Sequence, residues 1–461
     1  MFSKLPTECL LEILKTLNSH HNLYQCILVN RAWCNAAIPL IWSDPWKHVY
    51  EYYDEDEEDE EGLSELLLST FISCLSEEDR NFLVDSGVIL MDWMKKGTCF
   101  DYPAFLRHLN FNDISYGVKI FISRNVGKYD LNLTNFLIER IGSLSVKKVK
   151  RLDFLGFIDR FNRITPHIDY SSFMLKILPE ATIALGYVRK FVLKGDIKPE
   201  FFYDLANRCR SIEDLEIHDI FKDNDGLAYL IRSQNSLRSF YLEATNKKTF
   251  EITSIQNAFI GIDSLICLRM KNKLLPLKLF LNCTGLQKLH LDSIRDDVQD
   301  MEEFVNHIFP ELKNLRIRVR NISINHISLL INNTRGHIDE LCIYGKVKDL
   351  ENAFKFRDSL DKKCTNLCTL SLAFQHIENF IPSLPILFKT FKYLKFLDLM
   401  LSVSENQRNI GEDLVEIAPH IQKQLDYIHF PKNWYCDEES RKKFFNILDR
   451  NDLDIMMRQI Y

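Results

Sequence analysis

The chain has 461 residues, of which 46% are apolar, 26% charged and 12% aromatic, a composition that excludes a wholly disordered or collagen-like protein. Its 58 Lys and Arg stand against 64 Asp and Glu, so a net charge of -6 gives no global reason to expect nucleic acid as a partner. Twelve cysteines without a CxxC pair are too sparse for a disulfide scaffold and read as reduced thiols.

Residues 5 to 42 carry helical spacing. Pro6 suits a first helical turn, where its missing N–H costs nothing, and Leu10, Ile13, Leu14 and Leu17 then form one stripe. After a polar turn at Asn18 to Asn22, Leu23, Cys26 and Ile27 repeat that spacing, and a third helix is expected to end or bend at Pro39. Acids at Glu8 and Glu12 interrupt the apolar stretch, and no run approaches the roughly 18 apolar residues of a membrane span. Neither a signal peptide nor a membrane contact is expected, and the compartment expected is cytoplasm or nucleus. So short a segment rarely buries this many large apolar side chains alone, which makes a protein partner the economical expectation.

The Leu5-Pro6-x-Glu8 opening, the Ile13-Leu14-x-x-Leu17 stripe, Val29-Asn30-Arg31-x-Trp33 and the closing Trp42 together resemble an F-box. The resemblance covers about a tenth of the chain. It implies docking on a Skp-type adaptor, which tethers the protein to a cullin scaffold and a RING subunit. It further implies that Leu5, Pro6, Leu10, Ile13, Leu14, Leu17, Cys26, Val29, Trp33 and Trp42 divide between the motif's small core and the adaptor interface.

Eight consecutive acids, Asp54 to Glu61, repel one another and are expected to form a linker. Leu63, Leu66, Leu67, Phe71 and Leu75 then suggest a helix, and Ser76-Glu77-Glu78-Asp79 opens another with a capping residue and first-turn acids.

From Leu106 a phrase L-x-x-L-x-L recurs about twelve times, its middle residue being Leu109, Leu152, Phe191, Leu215, Phe240, Leu268, Leu289, Leu315, Leu341, Leu370, Leu397 and Ile428 in turn. From Phe191 on the interval stays between 21 and 31 residues. The phrase predicts a short strand with its fourth and sixth residues on a buried face, and return segments such as Phe201, Phe202 and Leu205 carry helical spacing. One strand and one helix per period is similar to leucine-rich repeats. That family's Asn or Cys is absent, its place held by Ile220, Ile294, Lys346 and Gln375, so an irregular array is expected. The predicted fold class is α/β: an all-α F-box at 1–47, an acidic linker with short capping helices at 48–105, a solenoid of short parallel strands plus helices at 106–430, and a helical cap at 431–461.

No HExxH, GxSxG, GxxxxGK or DxDxDG signature occurs, and only 15 glycines disfavour phosphate-cradling loops. His20-His21 lack a third ligand nearby and read as solvated, while Cys364 and Cys368 lack a second pair and read as buried thiols. No catalytic residue, metal or cofactor is expected. Between the buried strand positions, Arg269, Lys271, Lys288, Arg316, Arg318 and Arg320 alternate outward, and stacked strands about 4.8 Å apart are expected to gather them into one positive patch. Such a patch suits an acidic or phosphorylated segment of a target protein. The expected function is recruitment without bond chemistry: a substrate-recognition subunit of a ubiquitin ligase. The alternatives are an adaptor-bound scaffold outside any ligase, or an enzyme whose site lies in the concave-face loops.

Overall fold

The computed structural model describes residues 5–17, 20–47, 49, 57–127, 130–158, 182–195, 197–244, 252–271, 281, 283–294, 301–348, 353–374, 377–401, 408–421, 423–431, 434–448 and 454–456. A few side chains inside these elements, among them His20, His21 and Arg320, lie outside that description. The chain divides into two compact units: 1–216 with 233–235, and 217–232 with 236–461.

The first unit opens with three helices, α1 (Thr7–Lys15), α2 (His20–Ile27) and α3 (Arg31–Ile41). Pro6 stands just before α1 and its carbonyl accepts from the Leu10 N–H, so the helix starts where proline's fixed φ permits. Helix α2 begins at His20, inside the stretch expected to be a turn. Asn30 caps α3 by accepting from the Ala32 and Trp33 N–H groups at 2.9 and 3.1 Å. Pro39 is carried inside α3, which stops two residues later at Ile41. Leu10, Leu14, Leu23, Cys26, Ala36, Ala37, Ile38 and Ile41 are the buried apolar residues of these helices, and α3 packs against both α1 and α2.

Helix α4 (Glu57–Ser73) corrects one expectation, because it takes in five of the eight consecutive acids. Two causes outweigh their repulsion. The positive end of the helix dipole favours acids in the first turns, and the downstream face, Leu68, Phe71 and Ile72, is fully buried. Arg124 adds ion pairs to Glu61 and Glu65 at 2.9 and 3.1 Å. Ser76 caps α5 (Glu77–Asp85) as its sequence signals, accepting from the Asp79 N–H at 3.1 Å.

Strand β1 (His108–Asn110) then leads into α7 (Phe111–Val126) and α8 (Leu131–Lys148), the short α6 (Asp92–Lys95) preceding it. β2 (Phe154–Phe157) and β3 (Lys190–Lys194) follow, the latter preceded by the single turn α9 (Thr182–Leu185), and α10 (Pro199–Arg208) comes before β4 (Asp214–Ile220). β1, β2 and β3 pair in parallel, with Leu109 opposite Leu155 and Leu155 opposite Phe191. The second phrase is thus centred on Leu155 instead of Leu152: both readings satisfy the apolar pattern, and the one that aligns Phe157 with Leu193 wins.

The second unit alternates strands and helices: α11 (Asp225–Arg232), β5 (Ser239–Ala244), α12 (Thr253–Ala258), β6 (Cys267–Lys271), β7 (Lys288–Ile294), α13 (Met301–Asn306), β8 (Asn314–Ser323), α14 (Ile324–Asn332), β9 (Glu340–Lys348), α15 (Ala353–Lys363), β10 (Thr369–Phe374), α16 (Leu384–Thr390), β11 (Phe396–Leu401), α17 (Gly411–Ile417) and β13 (Tyr427–His429). The strands from β5 to β11 and then β13 lie side by side in chain order and pair in parallel. Phe240, Leu268, Leu289, Leu315, Leu341, Leu370, Leu397 and Ile428 stand in one register row, all 2% exposed or less. That is the α/β solenoid that the period predicts. The chain's end departs from it: helix α18 (Glu438–Leu448) forms, but β15 (Asp454–Met456) then adds a strand onto β13, and β12 (Arg408–Asn409) pairs with β14 (Trp434–Tyr435) apart from the main series.

Candidate functional site

Two surfaces remain chemically unfinished. On the opening helices the stripe expected along α1 splits: Leu10 and Leu14 are buried, Leu5 and Leu17 half-buried, and Ile13 is 41% exposed. Pro6 is exposed, and at the α2–α3 turn Val29 is 58% and Leu28 81% exposed, while Cys26 is buried. Leu28, with exposed Tyr24 on α2, belongs to this apolar surface although it falls outside the residues the motif singles out. The signal for Leu28 was its position one step beyond the buried stripe of α2, next to Val29. Trp33 is half-buried, and its indole N–H, shut off from water, has no partner among the described residues.

Trp42 belongs to neither surface, lying 4.3 Å from Tyr102 and 5.6 Å from Phe71 between ring centroids, while Trp46 stacks on Phe71 at 5.3 Å. The Ser43 carbonyl also accepts from the Arg107 and His108 N–H groups, both at 2.9 Å. One end of the three-helix motif is therefore sealed by its own chain, and the other stands in water.

The second surface is a cleft of about 300 Å³ on the outer face of β5 to β9, lined by Tyr241, Arg269, Lys271, His290, Asp292, Arg316, Arg318 and Tyr344. Strand register builds it as two rows. Tyr241, Arg269, His290 and Arg316 are successive neighbours in one, and Glu243, Lys271, Asp292, Arg318 and Tyr344 in the other. At its rim Ser293 has a left-handed φ of 62° and the pairing slips between Asp292 and Ile294, so a bulge re-aims the strand end beside the cleft. Four of the predicted residues, Arg269, Lys271, Arg316 and Arg318, meet here. Lys288 is exposed and does not line the cleft, and Arg320 lies in β8 with its side chain outside the described residues.

The expected single positive patch needs correction, because acids interleave with the cations. Lys271 pairs with Glu243 at 2.7 Å, Arg318 approaches Asp292 at 3.7 Å, and the Arg316 Nε donates to Glu340 at 2.6 Å. Glu243 also accepts from Tyr241 at 3.1 Å and faces His218 Nδ1 at 3.0 Å. Burial alone raises the Glu243 pKa, but the bonds from Lys271, His218 and Tyr241 outweigh it and hold the carboxyl below its ordinary value. His290 moves the other way: burial, with Arg316 and Arg269 beside it, pulls its pKa down against the hydrogen bond to Asn314. Arg269 lies over the Tyr241 ring at 5.4 Å and Arg318 over the Tyr344 ring at 5.7 Å, each a cation–π contact. Beyond the cleft the polar chain continues through Tyr344, Ser371, Asp398 and His429 at 3.0, 2.8 and 2.9 Å.

Residues 2–48 match a family described as F-box-like. F-box domains bind Skp-type adaptors and are typical of non-enzymatic substrate receptors of ubiquitin ligases. No curated protein matches the chain. Among the described residues, no group of three or more His, Cys, Asp or Glu is placed to hold a metal ion, and no helix is long and apolar enough to cross a membrane. The Cys364 thiol is fully buried, and burial pushes its pKa up to about 12, which makes it a core residue rather than a nucleophile.

Proposed function

We propose that the chain is a non-catalytic substrate-recognition subunit of a Skp–cullin–F-box ubiquitin ligase. The F-box-like segment holds the adaptor, and through it the cullin scaffold and RING subunit, while the second unit holds a target protein, raising its effective concentration at the ubiquitin-loaded enzyme. The observation that carries this reading is the F-box-like match at residues 2–48 together with Ile13, Leu28 and Val29 left in water on those same helices. Of the residues the resemblance offers, Pro6, Ile13, Val29 and half-buried Leu5, Leu17 and Trp33 are assigned to the adaptor interface. Leu10, Leu14 and Cys26 serve the motif's core, and Trp42 the joint to the following helices. Arg269, Lys271, Arg316 and Arg318 are assigned to target binding.

The test is affinity purification of the full-length chain beside a Leu28→Asp, Val29→Asp variant, identifying adaptor and cullin in the eluates. Burying each side chain contributes about 1.5–3 kcal/mol, so the pair should cost roughly 3–6 kcal/mol of adaptor binding, a factor on the order of 10² to 10⁴. Leu14→Asp is the wrong probe, because Leu14 is fully buried and a charge there unfolds the motif itself. Adaptor retained without cullin would favour a scaffold acting outside a ligase, and an eluate free of adaptor would sink the reading.

A further inference from the structure

Besides the cleft on the strands, the second unit carries a groove of about 460 Å³ between helices α14 and α15. Its floor is made of small side chains. Ser328 and Ser359 are buried, each hydroxyl donating to a carbonyl of its own helix at 2.8 and 2.9 Å, and the Asn332 amide donates to Ser359 at 3.0 Å across the seam. Leu329, 41% exposed, is the apolar contact that the groove offers. Along the other side Lys355, Asp358 and Lys362 stand at i, i+3 and i+7 of α15, all exposed, and form one stripe of alternating charge. Arg357 pairs with Asp358 at 2.7 Å, whereas no carboxylate among the described residues pairs with Lys355 or Lys362.

We infer that this groove receives a helix of another protein whose acidic residues, seven apart, meet Lys355 and Lys362 while a Lys or Arg between them meets Asp358. The spacing selects a helix over a strand. Lys355 and Lys362 are two turns apart, about 10.5 Å, which a second helix repeats with its own i and i+7 positions. An extended segment presents same-side residues about every 6.8 Å and falls out of step. The buried serines keep the seam low, so a third helix can set its ridge of side chains into it against Leu329. A uniformly acidic segment would bring like charge onto Asp358, so complementarity demands acid, base, acid in that order. Neither the adaptor surface nor the cleft takes part, and the inference stands apart from the ligase reading.

The experiment is an anisotropy titration of the full-length chain with labelled, alanine-based helical peptides of about 18 residues. One carries Glu, Lys and Glu, the outer two seven apart, with Leu beside the central Lys; the other has all three signs reversed. Each is made with the central residue at i+3 and at i+4, for the two directions in which a helix can lie. Both patterns contain i, i+3 and i, i+4 ion pairs, so helicity, checked by circular dichroism, does not separate them. The Glu-Lys-Glu peptide should bind about tenfold more tightly, and the gap should narrow as salt rises from about 0.05 to about 0.5 M. The chain carrying Lys355→Glu, Asp358→Lys and Lys362→Glu together should prefer the reversed peptide by a similar factor. That gain is the decisive readout, since a misfolded variant loses binding and acquires none. Equal affinities, no binding of either peptide, or a triple variant that keeps the wild-type preference overturns the inference. So does displacement of the peptide by inorganic phosphate at equal concentration, which would make the groove a simple anion site, or self-association of the wild-type chain that the triple variant abolishes, which would make the occupant a second copy.

Discussion

The opening helices and the outer face of β5 to β9 are unfinished in opposite ways. On the helices, Leu28, Val29 and Ile13 stand in water with nothing to give up when a partner arrives. On the strands, Lys271, Arg316 and Arg318 are each already engaged with Glu243, Glu340 and Asp292. Covering an exposed apolar side chain is favourable in proportion to its area, whereas taking a paired guanidinium requires displacing its present carboxylate. The contrast teaches that the first surface suits a constant partner and the second a partner that must present more charge than the chain supplies to itself.

Trp42→Ala, the largest effect on folding, breaks the comparison most directly. If Trp42 serves the joint, removing a ring packed on Phe71 and Tyr102 should cost about 3–5 kcal/mol of stability, measured as a fall in the urea midpoint, while Leu28→Asp, Val29→Asp leaves that midpoint nearly unchanged. A Trp42→Ala chain of normal stability that has lost the adaptor would return Trp42 to the interface.

Glu243→Gln probes the strand face. The lowered pKa of Glu243 means that its carboxylate stabilises the fold above its unfolded value, near 4.3, and that this contribution disappears as pH falls through the folded value. At pH 7 the variant should lose about 1–3 kcal/mol, because Lys271, His218 and Tyr241 lose an ionised acceptor, and the gap to wild type should close toward pH 3. Unfolding midpoints at pH 7, 5 and 3 measure it. A gap independent of pH would assign the effect to packing instead.

Much of this was legible in the sequence, and the exceptions share a cause. The phrase places eleven of the twelve strand centres because period-two burial is written into consecutive residues, and Leu152 misleads only because Leu152 and Leu155 both satisfy the pattern. The helix at Glu57 was hidden because its stabilising partner, Arg124, is more than sixty residues away. Glu340 and Glu243 escaped for the same reason: Arg316 and Lys271 meet them across strands, at separations of 24 and 28 residues, where a reading of alternating charge sees only the cations. The split of the F-box residues into buried Leu14 and exposed Ile13 is likewise set by where α3 lies.

Lys288→Glu should have the smallest effect, and it decides how the cleft works. Lys288 is exposed and belongs to the alternating basic series, yet it does not line the cleft, so reversing it changes the net charge of the face without touching Arg269, His290 or Arg316. If capture depends on Arg269 and Arg316 in contact with the target, Lys288→Glu should leave stability within about 0.5 kcal/mol and lower target capture far less than Arg316→Gln does, with the remaining loss fading as salt is raised. A loss as large as that of Arg316→Gln would mean that a diffuse positive field, rather than contact with individual guanidinium groups, attracts the target.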